Sequence, residues 1–204
     1  VVVSEDGQTL ETHNLSFDAS AEMEWGKSIR RLLSDINQKL GSENSTIGLS
    51  APGLADPDGT CISHMPGRLQ GLVRLNWRDY LEVPREVPVL NDGHAALVGE
   101  TWLGAANGFN NVIMLTLGTG VGGAAIVDGH LLRGRTGKAG HLGHTSLGPD
   151  GPPDVCGCPN SLEMVIGNCS LKERSNGRFS ETVDLLAAIN AGDANAEQIW
   201  LTSV

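Results

Sequence analysis

An α/β fold is predicted for this 204-residue chain from three observations. Short β-branched runs alternate with segments whose apolar residues recur at helical spacing, the pattern of helices packed on sheets. Glycine is abundant, at 27 residues, and it falls in clusters between the apolar runs, where tight turns and close backbone approaches are made. The character of the chain also changes near residue 108, which predicts two lobes, 1–107 and 108–204, with a cleft between them.

The elements follow in order. Val1-Val2-Val3 reads as a strand that turns at Glu5-Asp6-Gly7, and Thr9 to Phe17 as the returning strand. Residues 21–40 form an amphipathic helix by the spacing of Met23, Ile29, Leu32, Leu33, Ile36 and Leu40, and Gly41 ends it. Thr46 to Ser50 is a short strand stopped by Ala51-Pro52-Gly53, and Cys61 to Arg74 carries no regular pattern. Val87 to Leu90 is a strand closed by Asn91-Asp92-Gly93, and Ala95 to Leu103 is helical. The most apolar strand, 111–117, runs into Gly118-Thr119-Gly120-Val121-Gly122-Gly123. Ala124 to Val127 is again a strand, and Asp128-Gly129 is a hairpin signal. Gly134 to Asn160 is loop-rich, and helices return at 161–167, 181–190 and from 196 onward. The chain starts inside a strand and stops inside an uncapped helical stretch, so it is expected to be part of a longer protein.

Composition removes several classes of function. Fourteen basic against 24 acidic side chains give a net charge of −10, the wrong sign for gripping a phosphate backbone. Aromatics make up 4% of the chain, too few for base stacking. No apolar run approaches the ~20 residues of a membrane span, and no signal-peptide pattern opens the chain. Cys61, Cys156, Cys158 and Cys169 are unevenly spaced and form no disulfide framework, so a reduced, cytoplasmic location is expected.

Three constellations carry chemistry. Gly118-x-Gly120-x-x-Gly123 satisfies the dinucleotide-binding spacing, but a strand follows it where that motif requires a helix. Nor is there a Walker sequence, since Ala139 follows Lys138. A glycine hairpin can still hold phosphate through unhindered N–H groups, with Thr119 adding a hydroxyl; relief of crowding is the other explanation for the glycines. Asn91-Asp92 ends a buried strand, where α/β proteins place ligands, and the same residues suit a helix cap. His141-x-x-His144 with Cys156-x-Cys158 and Glu163 offers donors for zinc, although one residue between the cysteines is tighter than usual.

Taken in order, four segments resemble the ROK family of bacterial sugar kinases and related repressors. Asn91-Asp92-Gly93-His94-Ala95-Ala96-Leu97-Val98-Gly99-Glu100 is similar to the segment bearing the family's catalytic Asp, and Leu117 to Gly123 to its second phosphate loop. Ala139-Gly140-His141-Leu142-Gly143-His144 resembles its AGExGH motif, and Cys156-Gly157 with Leu162-Glu163 its cysteine-rich signature. The resemblance implies an actin-like, ribonuclease-H-like ATPase fold with an interlobe cleft, lacking here the family's first phosphate loop and its adenosine-contacting end. It implies ATP-dependent phosphorylation of a hexose or hexosamine, with Mg²⁺ neutralising the phosphates. Asp92 is then the catalytic base, and Asn91, His141, His144 and Glu163 bind the sugar. Gly118, Thr119, Gly120, Gly122 and Gly123 bind the nucleotide's phosphates. A homo-oligomer, a dimer, is implied as well; from charge and hydropathy no membrane partner is expected, nor nucleic acid for this stretch of chain.

This sequence departs from the family at two places. The family's zinc ligands, one His and three Cys, fall at His144, Asp154, Cys156 and Ser161, with Cys158 nearby. Only two of the four are retained, so zinc is not expected. The glutamate of AGExGH is His141, which exchanges a pure acceptor facing the sugar for a group that both donates and accepts and titrates near neutrality. The family also contains sugar-sensing transcriptional regulators, so a regulator or a non-catalytic sugar-binding paralogue is the alternative reading.

Overall fold

The opening valines form β1 (Val2–Val3), which pairs antiparallel with β2 (Thr9–Glu11), Val3 opposite Thr9. The returning strand is regular over Thr9–Glu11 and does not extend to Phe17. Leu15 and Phe17 stay exposed. The structure is a computed structural model that describes residues 1–18, 21–41, 46–65, 67 and 69–203.

Helix α1 (Glu24–Leu40) begins three residues later than its periodicity predicts, since Met23 takes a left-handed conformation at the entry. It ends as predicted on left-handed Gly41, whose N–H donates to Asn37 O at 3.0 Å. β3 (Leu49–Ala51) comes next, then β4 (Leu54–Ala55) and β5 (Ile62–His64), which pair antiparallel with each other. β5 corrects the reading of 61–74 as patternless: Ile62 is fully buried, and three residues are too few to show alternation. Short α2 (Trp77–Leu81), capped by Asn76 accepting from Asp79 N at 3.1 Å, is likewise invisible to periodicity.

β6 (Val89–Asn91) lies parallel to β3, Leu49 opposite Val89 and Ala51 opposite Asn91. Helix α3 (Asp92–Leu103) follows without a loop. These elements surround a core of Trp25, Ile62, Leu72, Trp77, Leu81, Val87 and Val89, with the Trp25 and Trp77 rings 5.7 Å apart. Trp25 Nε1 donates to Gln70 O at 3.1 Å, satisfying the polar end of a buried indole.

β7 (Val112–Leu117), β8 (Val121–Val127) and β9 (His130–Leu131) form an antiparallel sheet in that order, with Leu117 opposite Val121 across the hairpin. A 3₁₀ turn at Leu142–His144 follows. Then come α4 (Leu162–Ile166), α5 (Asn168–Arg174), α6 (Thr182–Asn190) and α7 (Ala194–Leu201). The helix read at 161–167 is α4, ended by extended Gly167 (ψ 155°), and α5 after it is a helix the sequence reading did not include. Leu171, Phe179, Leu185 and Ala196 make the helical core. Two units result: Val1–Asn107 with Gly134–Gly137, and Gly108–Arg133 with Lys138–Val204. No helix among the described residues is long and apolar enough to cross a membrane.

Candidate functional site

In the first unit the site residues stand where β6 becomes α3. Asn91 is buried, and its side-chain oxygen caps the helix by accepting from Gly93 N at 2.9 Å and His94 N at 3.4 Å. Its Nδ2 donates to Gly53 O at 2.9 Å, tying the cap to the loop after β3. These bonds engage most of the amide, so Asn91 fixes the chain around Asp92 and keeps one amide hydrogen for a ligand. Asp92 is exposed at the first helical position, where the helix dipole favours the carboxylate, and one of its oxygens accepts from Gly93 N at 2.9 Å. Of the two readings of this segment, the helix cap falls to Asn91, and Asp92 stands exposed beside it.

The remaining candidates lie in the second unit. The glycine cluster is shorter as a loop than it looks in sequence. Gly122 and Gly123 belong to β8, paired with Thr116 and Leu115, so the turn proper is Gly118–Gly120. Gly118 N donates to Gly120 O at 3.0 Å and closes it. Gly118 O accepts from Asn168 N at 3.0 Å, and Thr119 O from Cys169 N at 2.7 Å. In a trans peptide the N–H points opposite to the carbonyl. The Thr119 and Gly120 N–H groups therefore both point away from α5, and neither donates to another group among the described residues. The space beside Gly118 is open. Two adjacent, unengaged N–H groups that point the same way are the kind of donor pair that can receive an anion.

Glu163, in the first turn of α4, accepts from Val121 N at 3.0 Å through Oε2. A Cβ at Gly120 would lie 2.1 Å from that oxygen, so this glycine admits the carboxylate to the hairpin. Crowding accounts for Gly120 here, while the outward N–H groups remain available to a ligand. His141 enters the 3₁₀ turn, with its N–H donating to Lys138 O at 3.3 Å, and His144 closes it. Leu162 N donates to Thr145 O at 2.9 Å, which joins the His144 turn to the helix carrying Glu163.

His144 Nδ1 lies 2.8 Å from Oδ2 of Asp154, a carboxylate with no exposed side-chain surface. Oδ1 of Asp154 accepts from Cys156 N at 2.8 Å and Cys158 N at 2.9 Å. Burial pushes this carboxyl up, but hydrogen bonds from His144, Cys158 N–H, the Ser161 hydroxyl and Cys156 N–H outweigh it and hold the pKa at about 2. The Asp154 carboxylate engages His144 Nδ1 and leaves the ring's Nε2 for another partner.

These residues also bear on a metal. The donor atoms of His144, Asp154 and Cys156 lie within 4.8 Å of one another, and Cys158 is outside that group. The fourth family position, Ser161, is fully buried and caps α4, with Oγ accepting from Met164 N at 3.4 Å. Partial burial and the nearby Asp154 and Glu163 carboxylates push the Cys156 thiol up. A closed structural zinc site needs four Cys or His donors. Two are present, and both Asp154 oxygens already accept hydrogen bonds from the protein. The set does not fit zinc.

Sequence reasoning missed Gly167-Asn168-Cys169, which fasten the glycine hairpin from behind. No motif marks them, since they act through backbone groups.

The chain is an α/β protein whose solved structural neighbours include ROK sugar kinases, of the actin-like ATPase class. It belongs to the ROK family, whose model matches residues 1–204. A glucokinase of Halalkalibacterium halodurans is 39% identical over 137 residues, 63% of this chain and 39% of that protein. A glucokinase of Thermotoga maritima is 32% identical over 182 residues, 84% of this chain and 54% of that protein. The crystal structure of a ROK family glucokinase from Streptomyces griseus in complex with glucose and AMPPNP superposes with a TM-score of 0.72 at 27% identity, covering 98% of this chain and 70% of that one. The chain thus spans about half the length, or less, of these two curated relatives.

Proposed function

We propose that the whole protein is a kinase transferring the γ-phosphate of MgATP to a hydroxyl of a hexose or hexosamine. The observation that carries this reading is the glycine hairpin, whose two outward N–H groups suit phosphate oxygens, in a family member whose relatives include glucokinases. The sugar hydroxyl attacks the γ-phosphorus, its proton passes to the Asp92 carboxylate, and the bond to the β-phosphate oxygen breaks to give sugar phosphate and ADP. Such a reaction needs positioning and charge neutralisation more than covalent chemistry. Mg²⁺ arrives with the nucleotide and neutralises the phosphate charge. Thr119 and Gly120 N–H groups hold phosphate oxygens. His144 Nε2 and the second oxygen of Glu163 bond sugar hydroxyls, His141 lines the same turn, and Asn91 holds Asp92 at the helix start. Zinc has no part in this scheme.

The test is sugar-dependent ADP release by the full-length protein, run with glucose, mannose and their N-acetylated amino derivatives. Release with at least one of them is expected. No release with any hexose in the presence of Mg²⁺ overturns the kinase reading.

A further inference from the structure

The glycine hairpin is backed by a cation that none of the family motifs includes. Arg174 is the last residue of α5, half-buried, and no carboxylate among the described residues pairs with it. Its guanidinium is held by neutral oxygens: Nε donates to Ser170 Oγ at 3.0 Å, Nη1 to Ser203 Oγ, and Nη2 to Gly167 O at 3.1 Å. The same Gly167 carbonyl accepts from Ser170 Oγ at 3.2 Å. Burial draws the guanidinium's pKa down, but arginine stays charged in proteins, so among the described residues this charge rests on neutral oxygens alone.

The peptide that follows Gly167 is trans, so its N–H, that of Asn168, points opposite to the carbonyl Arg174 holds. That N–H donates to Gly118 O at 3.0 Å. The step then repeats across the Gly118–Thr119 peptide, whose N–H points away from α5 and donates to nothing among the described residues. Cation, peptide, peptide and outward N–H form one hydrogen-bonded series, and bonds in such a series polarise one another in the same sense. A developing negative charge on a phosphate at Thr119 N–H meets a donor that is both fixed in direction and strengthened from behind.

We infer that Arg174 is a positioning residue for the phosphate-binding hairpin, acting through the Gly167–Asn168 and Gly118–Thr119 peptides on the Thr119 N–H that receives the nucleotide. The inference rests on the phosphate-loop reading above. It differs from a purely structural role, in which Arg174 would join α5 to Ser203 and affect nucleotide and sugar alike.

The experiment uses the full-length protein, with Arg174→Met to keep the aliphatic stem without the charge, and Arg174→Lys to keep the charge without the fork. AMPPNP and glucose affinities are measured by titration, and the Thr119 amide is followed by ¹H–¹⁵N correlation. Arg174→Met is expected to weaken AMPPNP by about fivefold, within the usual range of coupling between sites, and to leave glucose within about twofold. The Thr119 amide resonance of the unliganded protein should shift, and Arg174→Lys should fall between Met and wild type. Unchanged AMPPNP affinity in Arg174→Met overturns the inference. Equal losses for AMPPNP and glucose with an unmoved Thr119 resonance overturn it as well. Wild-type protein that binds AMPPNP but phosphorylates no sugar refutes the kinase reading alone, and the Arg174 comparison still decides the relay.

Discussion

Replacing Asp154 with Asn tests whether one carboxylate organises the loop that carries His144. Four donors converge on its two oxygens: His144 Nδ1–H, the Ser161 hydroxyl, and the Cys156 and Cys158 N–H groups. An amide offers one accepting oxygen and sets an NH₂ against the other pair, leaving at least one buried donor without a partner. That costs about 1–3 kcal/mol. Linkage gives a compatible figure. The carboxyl is held at about 2 against an ordinary 3.8, and at ~1.4 kcal/mol per pH unit, reduced for solvent screening near a surface loop, it contributes about 1–2 kcal/mol. The sign follows from the depressed value: this stabilisation is complete above the unfolded pKa near 4 and is lost as pH falls toward 2. Thermal unfolding at pH 7 should therefore place Asp154→Asn about 3–8 °C below wild type. The gap should narrow through the acid range, as wild type protonates the same group. Equal midpoints at pH 7, or a gap that stays constant down to the acid limit, would refute the reasoning.

Three further outcomes follow from the same geometry. Gly143→Ala would set a Cβ 1.7 Å from Val121 O, a backbone atom at the start of β8; a loss of about 1–3 kcal/mol is expected in denaturant unfolding, and an unchanged midpoint would show that the turn does not pack there. Elemental analysis of the purified full-length protein should find zinc well below one atom per chain, and stability unchanged by a zinc chelator; stoichiometric zinc lost in Asp154→Asn would reverse the reading of this loop. His141→Glu, which restores the acceptor of the AGExGH motif, should tighten glucose binding by a few-fold in titration, while weaker binding would mean that the imidazole itself makes the sugar contact.

How far this was legible in the sequence depended on the kind of signal. Helix α1, strand β7 and the Asp128-Gly129 hairpin declared themselves through period, apolarity and turn chemistry, and the structure holds them near the expected bounds. β5 and α2 did not, because elements of three and five residues carry too few positions for a period. The start of α3 was placed three residues late because Asn91 serves as both strand end and cap. Within the candidate site, the motifs named candidate residues. The division of labour was not: Asn91 caps, Glu163 bonds the hairpin, and Asp154 gathers four donors only once the chain has folded. Backbone partnerships such as Asn168 with Gly118 leave no trace in residue type at all.

The most direct test of the central claim is phosphate transfer to glucose from γ-labelled ATP, comparing full-length wild type with Asp92→Asn. The amide keeps the size and the helix-start position of Asp92 but cannot take the hydroxyl proton. Loss of a general base costs about 10²–10⁴ in rate, so kcat should fall by that order while the KM for ATP stays nearly constant. Transfer by Asp92→Asn at the wild-type rate would contradict the account.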